Sequence, residues 1–141
     1  MRFEKSLTIR KPISEVYALY TDRKELSQWQ PDFTNSRQIE SYPLPKYTHQ
    51  IPLGRRKMKM TETILIQHRP DRCDIQYELK GVKQIIHNTF YESVPGETQW
   101  QCQTEYRFTG IMKIISFFMR GNFRTQTDMM MQNFKGYAES R

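Results

Sequence analysis

Residues 111–138 contain no proline and only two glycines, Gly121 and Gly136, and they read as a single long helix. Ile111, Ile115, Phe118, Met119, Asn122, Gln126, Met129 and Asn133 recur at helical spacing, with Phe123, Met130, Phe134 and Tyr137 beside them. A helix this long needs an apolar surface to lie on. The residues before it supply one. From 33 to 109 the chain is a succession of strand-like runs punctuated by turn residues. Gly121 within the helix costs about 1 kcal/mol relative to Ala, so a kink or a close approach to the sheet is expected there.

The runs fall at 33–42, 46–51, 55–68, 72–80, 83–92 and 100–108. Pro43-Leu44-Pro45, Pro52-Leu53-Gly54, Arg69-Pro70-Asp71, Gly81 and Pro95-Gly96-Glu97 separate them. Alternation is cleanest at Cys73, Ile75, Tyr77 and Leu79. Phe3, Leu7 and Ile9 alternate as well, giving a first strand over 2–10. Pro12 suits the first turn of a helix, and Ile13, Val16, Tyr17 and Tyr20 form its apolar face. Asp22 and Glu25, at capping-box spacing, open a second short helix that carries Leu26 and Trp29 and stops at Pro31.

The order is therefore strand, two short helices, six strands and one long helix. It predicts an α+β chain in which a curved six- to seven-stranded antiparallel sheet wraps the C-terminal helix. A strongly twisted sheet curls around one helix without touching it everywhere, so the geometry tends to leave a cavity between them. At 141 residues, with no linker or repeat, 1–141 is expected to be one domain. Hydrophobic residues make up 37% and aromatic residues 13%, so the core should rest on a few large rings and the eight methionines.

Several function classes lose support from composition. No run approaches the roughly 18 apolar residues of a membrane span, and Met1-Arg2-Phe3-Glu4-Lys5 lacks the apolar stretch of a secretory signal. A soluble, cytoplasmic chain is expected. The three histidines, His49, His68 and His87, have no metal-site spacing, and Cys73 and Cys102 are too few for a disulfide scaffold. Cys73 lies on the fifth strand and Cys102 on the seventh. Two inter-strand spacings make about 9–10 Å, beyond the roughly 7 Å reach of a disulfide, so both should be free thiols. There is no Ser-His-Asp, Cys-His or paired-carboxylate signature, and no phosphate loop or dinucleotide fingerprint. No catalytic residue, metal or cofactor is therefore assigned. The net charge of +7 leaves an acidic partner, nucleic acid included, as an alternative.

Three positions carry competing readings. Met58, Met60, Glu62, Ile64 and Ile66 share a strand face. Glu62 in that row is either buried, with a partner or a raised pKa, or turned to solvent by twist or a bulge. His87 would be a candidate general base if it faced the cavity, but Ile86 and Phe90 share the inner parity of their strand, which puts His87 outside. Successive helical residues cannot all face one way, so one of Met129, Met130 and Met131 is exposed.

Leu7-Thr8-Ile9-Arg10-Lys11-Pro12-Ile13-Ser14-Glu15-Val16-Tyr17, then Thr21-Asp22 and Trp29, resemble the N-terminal pattern of the START-like or SRPBCC superfamily. This is the helix-grip fold of pollen-allergen-like proteins, lipid-transfer domains and polyketide cyclases or dehydrases. Phe108-Thr109-Gly110 and Asn133-Phe134-Lys135-Gly136-Tyr137-Ala138-Glu139 resemble its C-terminal end. The resemblance implies an internal cavity for an apolar or amphipathic molecule such as a lipid or a polyketide. The expected lining is Met60, Glu62, Tyr77, Asn88, Tyr106, Met119, Asn122, Phe123 and Gln126. Asn122 and Gln126, four apart on the long helix, are its expected polar handles. A cyclase- or hydratase-type enzyme using the same cavity is the alternative, and the chain is expected to be a monomer or homodimer.

Overall fold

The computed structural model describes residues 1–141, the side chain of Leu53 excepted. Its seven strands are β1 (Arg2–Ile9), β2 (Ser36–Glu40), β3 (Lys46–Leu53), β4 (Arg56–His68), β5 (Arg72–Leu79), β6 (Val82–Val94) and β7 (Glu97–Phe108). They form one antiparallel sheet in the order β1-β7-β6-β5-β4-β3-β2. Strands β2 to β7 are a plain meander, and β1 joins at the far edge through β7. Helix α1 (Ile13–Tyr20) and a 3₁₀ turn (Arg23–Gln28) carry the chain from one edge to the other. The expected helix-grip architecture is present.

Two of the differences from the sequence reading have a clear local reason. Strand β3 runs through Pro52, so the hairpin turn falls at Gly54, whose φ of 61° suits a residue without a side chain. Strand β2 pairs only with Lys46–His49, leaving Pro52 on an open edge where its missing N–H costs nothing. The second short helix is 3₁₀ in type. The Asp22 carboxylate accepts from the Lys24 N–H and fixes its start.

The C-terminal helix is broken. It divides into α2 (Met112–Phe118) and α3 (Arg120–Glu139) at Met119, whose backbone (φ −107°, ψ 16°) leaves helical geometry. The break lies two residues before the expected kink at Gly121 and shifts the helical phase. Helix α3 buries Thr127, Met131, Phe134 and Ala138, a stripe about one residue away from Met119-Asn122-Gln126-Met129-Asn133. Met129 is the exposed one of the three consecutive methionines. At the other end of α2, Gly81 (φ 80°) lies against Met112: a Cβ there would stand 2.8 Å from Met112 Cγ.

Burial centres on rings. Tyr20 sits 5.3 Å from Trp29, 5.6 Å from Phe90, 5.6 Å from Trp100 and 5.3 Å from Phe134, so α1, the 3₁₀ segment, the sheet and α3 meet in one aromatic cluster. The pairs with Phe90, Trp100 and Phe134 are edge-to-face, an arrangement that adds about 0.5–1.5 kcal/mol each beyond area burial. The cluster fills the α1 end of the groove. The other end stays partly open.

Candidate functional site

The open end is a cavity of about 140 Å³ between the concave face of the sheet and α3. Its apolar wall is Phe33, Met60, Ile86 and Met130, and its polar groups come from Tyr20, Gln30, Tyr77, Gln84, Tyr106, Gln126 and Thr127. Strand alternation explains the sheet side. Met60 on β4, Tyr77 on β5, Ile86 on β6 and Tyr106 on β7 all have inward parity.

Four of the nine expected lining residues meet here: Met60, Tyr77, Tyr106 and Gln126. Phe123 lies just beyond, its ring 4.9 Å from Tyr106 and 5.4 Å from Phe108. The structure places the remaining expected residues elsewhere. Met119 and Asn122 are exposed and line no part of the cavity, because the break at Met119 rotates them away from the sheet. Asn88 is fully buried but belongs to the framework. Its amide donates to Tyr20 Oη (2.9 Å) and the Cys73 carbonyl (3.1 Å), and its oxygen accepts from Trp100 Nε1 (2.8 Å).

Glu62 faces inward and is 1% exposed, and a partner, not protonation, satisfies it. The Arg23 guanidinium, projecting from the 3₁₀ segment, donates to both carboxylate oxygens at 2.7 and 3.0 Å. His49 Nε2 lies 2.6 Å from Oε1. Burial by itself would raise the Glu62 pKa. The hydrogen bonds from His49 and Arg23 and the positive charge of Arg23 outweigh it and hold the carboxyl below its usual value. A bulge does occur on β4, but between Ile64 and Ile66, so Ile66 rather than Glu62 turns outward.

Ser36 Oγ approaches His49 Nδ1 at 2.5 Å, so Ser36, His49 and Glu62 form a chain with the membership of a nucleophilic triad. Arg23 changes its meaning. Arg23 already donates to both oxygens of this carboxylate, which a triad would leave free to orient its histidine. The cluster is better described as a clamp that ties edge strand β2 and the 3₁₀ segment to β3 and β4. It lies behind one end wall of the cavity: the lining residue Phe33 stacks on His49 at 4.4 Å and meets Tyr77 edge-on at 6.0 Å.

The phenols of the cavity are neutral donors. Burial pushes Tyr106 up to about 12, and burial lifts Tyr77 and Tyr20 well above the ordinary phenol value. Gln84 Nε2 donates to Tyr106 Oη at 2.9 Å. The lining thus offers phenolic and amide groups to a ligand's polar atoms and an apolar wall to the rest. His87 sits on the outer face, as its parity requires, with Nδ1 2.7 Å from Asp74 Oδ2. No group of three or more His, Cys, Asp or Glu side chains able to hold a metal occurs among the described residues.

Sequence reasoning missed Tyr20, Gln30, Phe33, Gln84, Ile86, Thr127 and Met130. Ile86 has inner parity on β6, and Gln84 shares it, so alternation is the signal that finds both. Gln30 and Phe33 lie in irregular chain after the 3₁₀ segment, where no periodicity marks them.

A sheet gripping one long helix over a small cavity lined by phenols, amides and apolar side chains defines the class: a helix-grip protein with an interior site. The chain belongs to the polyketide cyclase/dehydrase and lipid transport family, whose model matches residues 9–135. Similar solved structures include a Thermus thermophilus protein (10% identity, covering 99% of this chain and 98% of that one, TM-score 0.79). A START superfamily protein from Mycobacterium smegmatis is also similar (11%, 99% and 97%, TM-score 0.78). So is truncated norcoclaurine synthase from Thalictrum flavum (11%, 100% and 94%, TM-score 0.75). At such identities the likeness concerns the fold alone. No curated protein matches the sequence. No helix is long and apolar enough to cross a membrane.

Proposed function

We propose that the protein binds a small apolar or amphipathic molecule in the cavity between the sheet and α3. The observation carrying this reading is the lining: Phe33, Met60, Ile86 and Met130 form an apolar wall against which phenols and amides converge. The apolar wall supplies affinity. Tyr77, Tyr106 and Gln126 orient the polar end, the phenols acting as neutral donors at physiological pH.

Size limits the ligand. A cavity near 150 Å³ holds about one benzene-sized molecule, whereas pockets for drug-sized ligands span roughly 300–1,000 Å³. A lipid- or polyketide-sized molecule therefore requires the cavity to widen. The half-buried Met130 and the partly exposed Phe33 are the wall residues best placed to move, and Met adapts to irregular shapes. Binding also fits the lining better than general acid–base catalysis, since its phenols titrate far from neutrality.

Native mass spectrometry of the purified chain tests the proposal. A discrete added mass, released on denaturation and reduced by a filling substitution such as Ile86→Phe, is the expected result. A ligand-free chain that also fails to take up small aromatic probes would refute it. Conversion of a bound molecule on incubation would favour the cyclase- or hydratase-type alternative.

A further inference from the structure

Helix α2 contributes no residue to the cavity. Ile111 is 72% exposed, Ile114 64%, Phe117 66% and Phe118 80%, although each is a strongly apolar side chain. Clustered exposure of large apolar groups on one short segment marks a contact surface. Its charges all have one sign. Between Glu105 and Asp128 the only charged residues are Arg107, Lys113, Arg120 and Arg124. Lys113, Arg120 and Arg124 have no acidic partner among the described residues. Arg120 reaches over the Phe117 ring at 5.7 Å, and Arg124 over the Phe3 ring at 4.9 Å, so basic heads rise beside the apolar surface.

We propose that α2, with Arg120 and Arg124 at the start of α3, is a docking surface for an anionic lipid bilayer. The apolar side chains enter the acyl boundary and the basic ones meet the headgroup charge, the arrangement of an interfacial amphipathic helix. Charge decides between a bilayer and a second copy of the chain. A two-fold dimer through this face would bring the Lys113, Arg120 and Arg124 sets of the two copies together, while the nearest carboxylates, Glu105 and Asp128, are already paired with Arg2 and Lys5. An anionic surface satisfies them all. The packing of Met112 against Gly81 and the burial of Ser116 fix which side of α2 faces outward.

The test is flotation of the full chain with two kinds of vesicle, phosphatidylcholine alone and phosphatidylcholine containing phosphatidylserine. The wild-type chain is expected on the serine-containing vesicles, with binding that weakens as salt rises. Each basic side chain near such a surface contributes roughly fivefold. The Lys113→Gln/Arg120→Gln/Arg124→Gln variant should therefore lose about 100-fold in partitioning and its preference for anionic vesicles. Phe117→Ser/Phe118→Ser should lose at least about tenfold. All five side chains are exposed, so both variants should keep the wild-type circular dichroism and melting temperature, and cavity ligand uptake should not change. No partitioning, equal partitioning onto both vesicle types, or undiminished partitioning of either variant would overturn the proposal. So would a dimer that dissociates in Phe117→Ser/Phe118→Ser while vesicles bind nothing, which would assign the face to a second copy.

Discussion

Replacing Arg23 with Ala tests the clamp at the end of the cavity. The substitution removes two charge-assisted hydrogen bonds, at 2.7 and 3.0 Å, from a carboxylate that is 1% exposed. It also removes the guanidinium from the Tyr47 ring, 3.7 Å away. Breaking one side of a buried ion pair costs about 3–5 kcal/mol. The Arg23 side chain is 30% exposed, and His49 still bonds Glu62, so some water can replace what is lost and the lower end applies. For a chain of this size about 3 kcal/mol corresponds to a fall in melting temperature of roughly 10 °C. The pH dependence has a definite sign. The folded-state pKa of Glu62 lies below its unfolded value near 4.5, so its stabilisation is fully present above that pH and is lost as pH falls through the folded value. Without Arg23 the carboxyl protonates more readily, so the gap between variant and wild type should be widest near pH 7 and narrow towards pH 4.5. Differential scanning fluorimetry across that range measures it. Arg23→Met/Glu62→Gln, which removes both charges but leaves His49 an acceptor, should recover more than half of the loss. A pH-independent loss under about 3 °C would refute the argument.

Other expectations follow from the same geometry. Asn88→Ala should lower stability by about 3 kcal/mol or more, read by urea unfolding, because it strands Trp100 Nε1 and leaves a void under Tyr20. Cys73 and Cys102, both buried, have pKa values pushed up by burial to about 12 and about 11, so neither should react with a thiol reagent at pH 8 in the folded chain, and both should react after unfolding without reductant. Gln126→Leu should change the relative affinities of apolar probes while Asn122→Leu leaves them alone, since only Gln126 lines the cavity.

The fold was readable because its signals are local and periodic. Alternation at Cys73, Ile75 and Tyr77 and the proline-free stretch after Gly110 each specify an element almost by themselves. The site was read only in part. Strand parity placed Met60, Tyr77 and Tyr106 inside. On the helix, a spacing carried unbroken through Met119 mis-set the phase by about one residue and brought Asn122 inward. The stripe that does face in includes Thr127, a residue apolar periodicity passes over. Glu62 was recognisable as an anomaly, but its partner was not: Arg23 is 39 positions away and belongs to a 3₁₀ turn without amphipathic pattern. Pairings of that kind come from tertiary packing, which single-sequence periodicity does not encode.

The central claim is that an apolar molecule enters between the sheet and α3, and methionine methyl NMR addresses it most directly. Met60 and Met130 line the cavity, whereas Met119 and Met129 are exposed outside it. Titration with a benzene-sized aromatic probe should shift the Met60 and Met130 methyl resonances saturably and leave those of Met119 and Met129 in place. Saturable shifts confined to Met119 or Met129, or no saturable shift at Met60 and Met130, would contradict it.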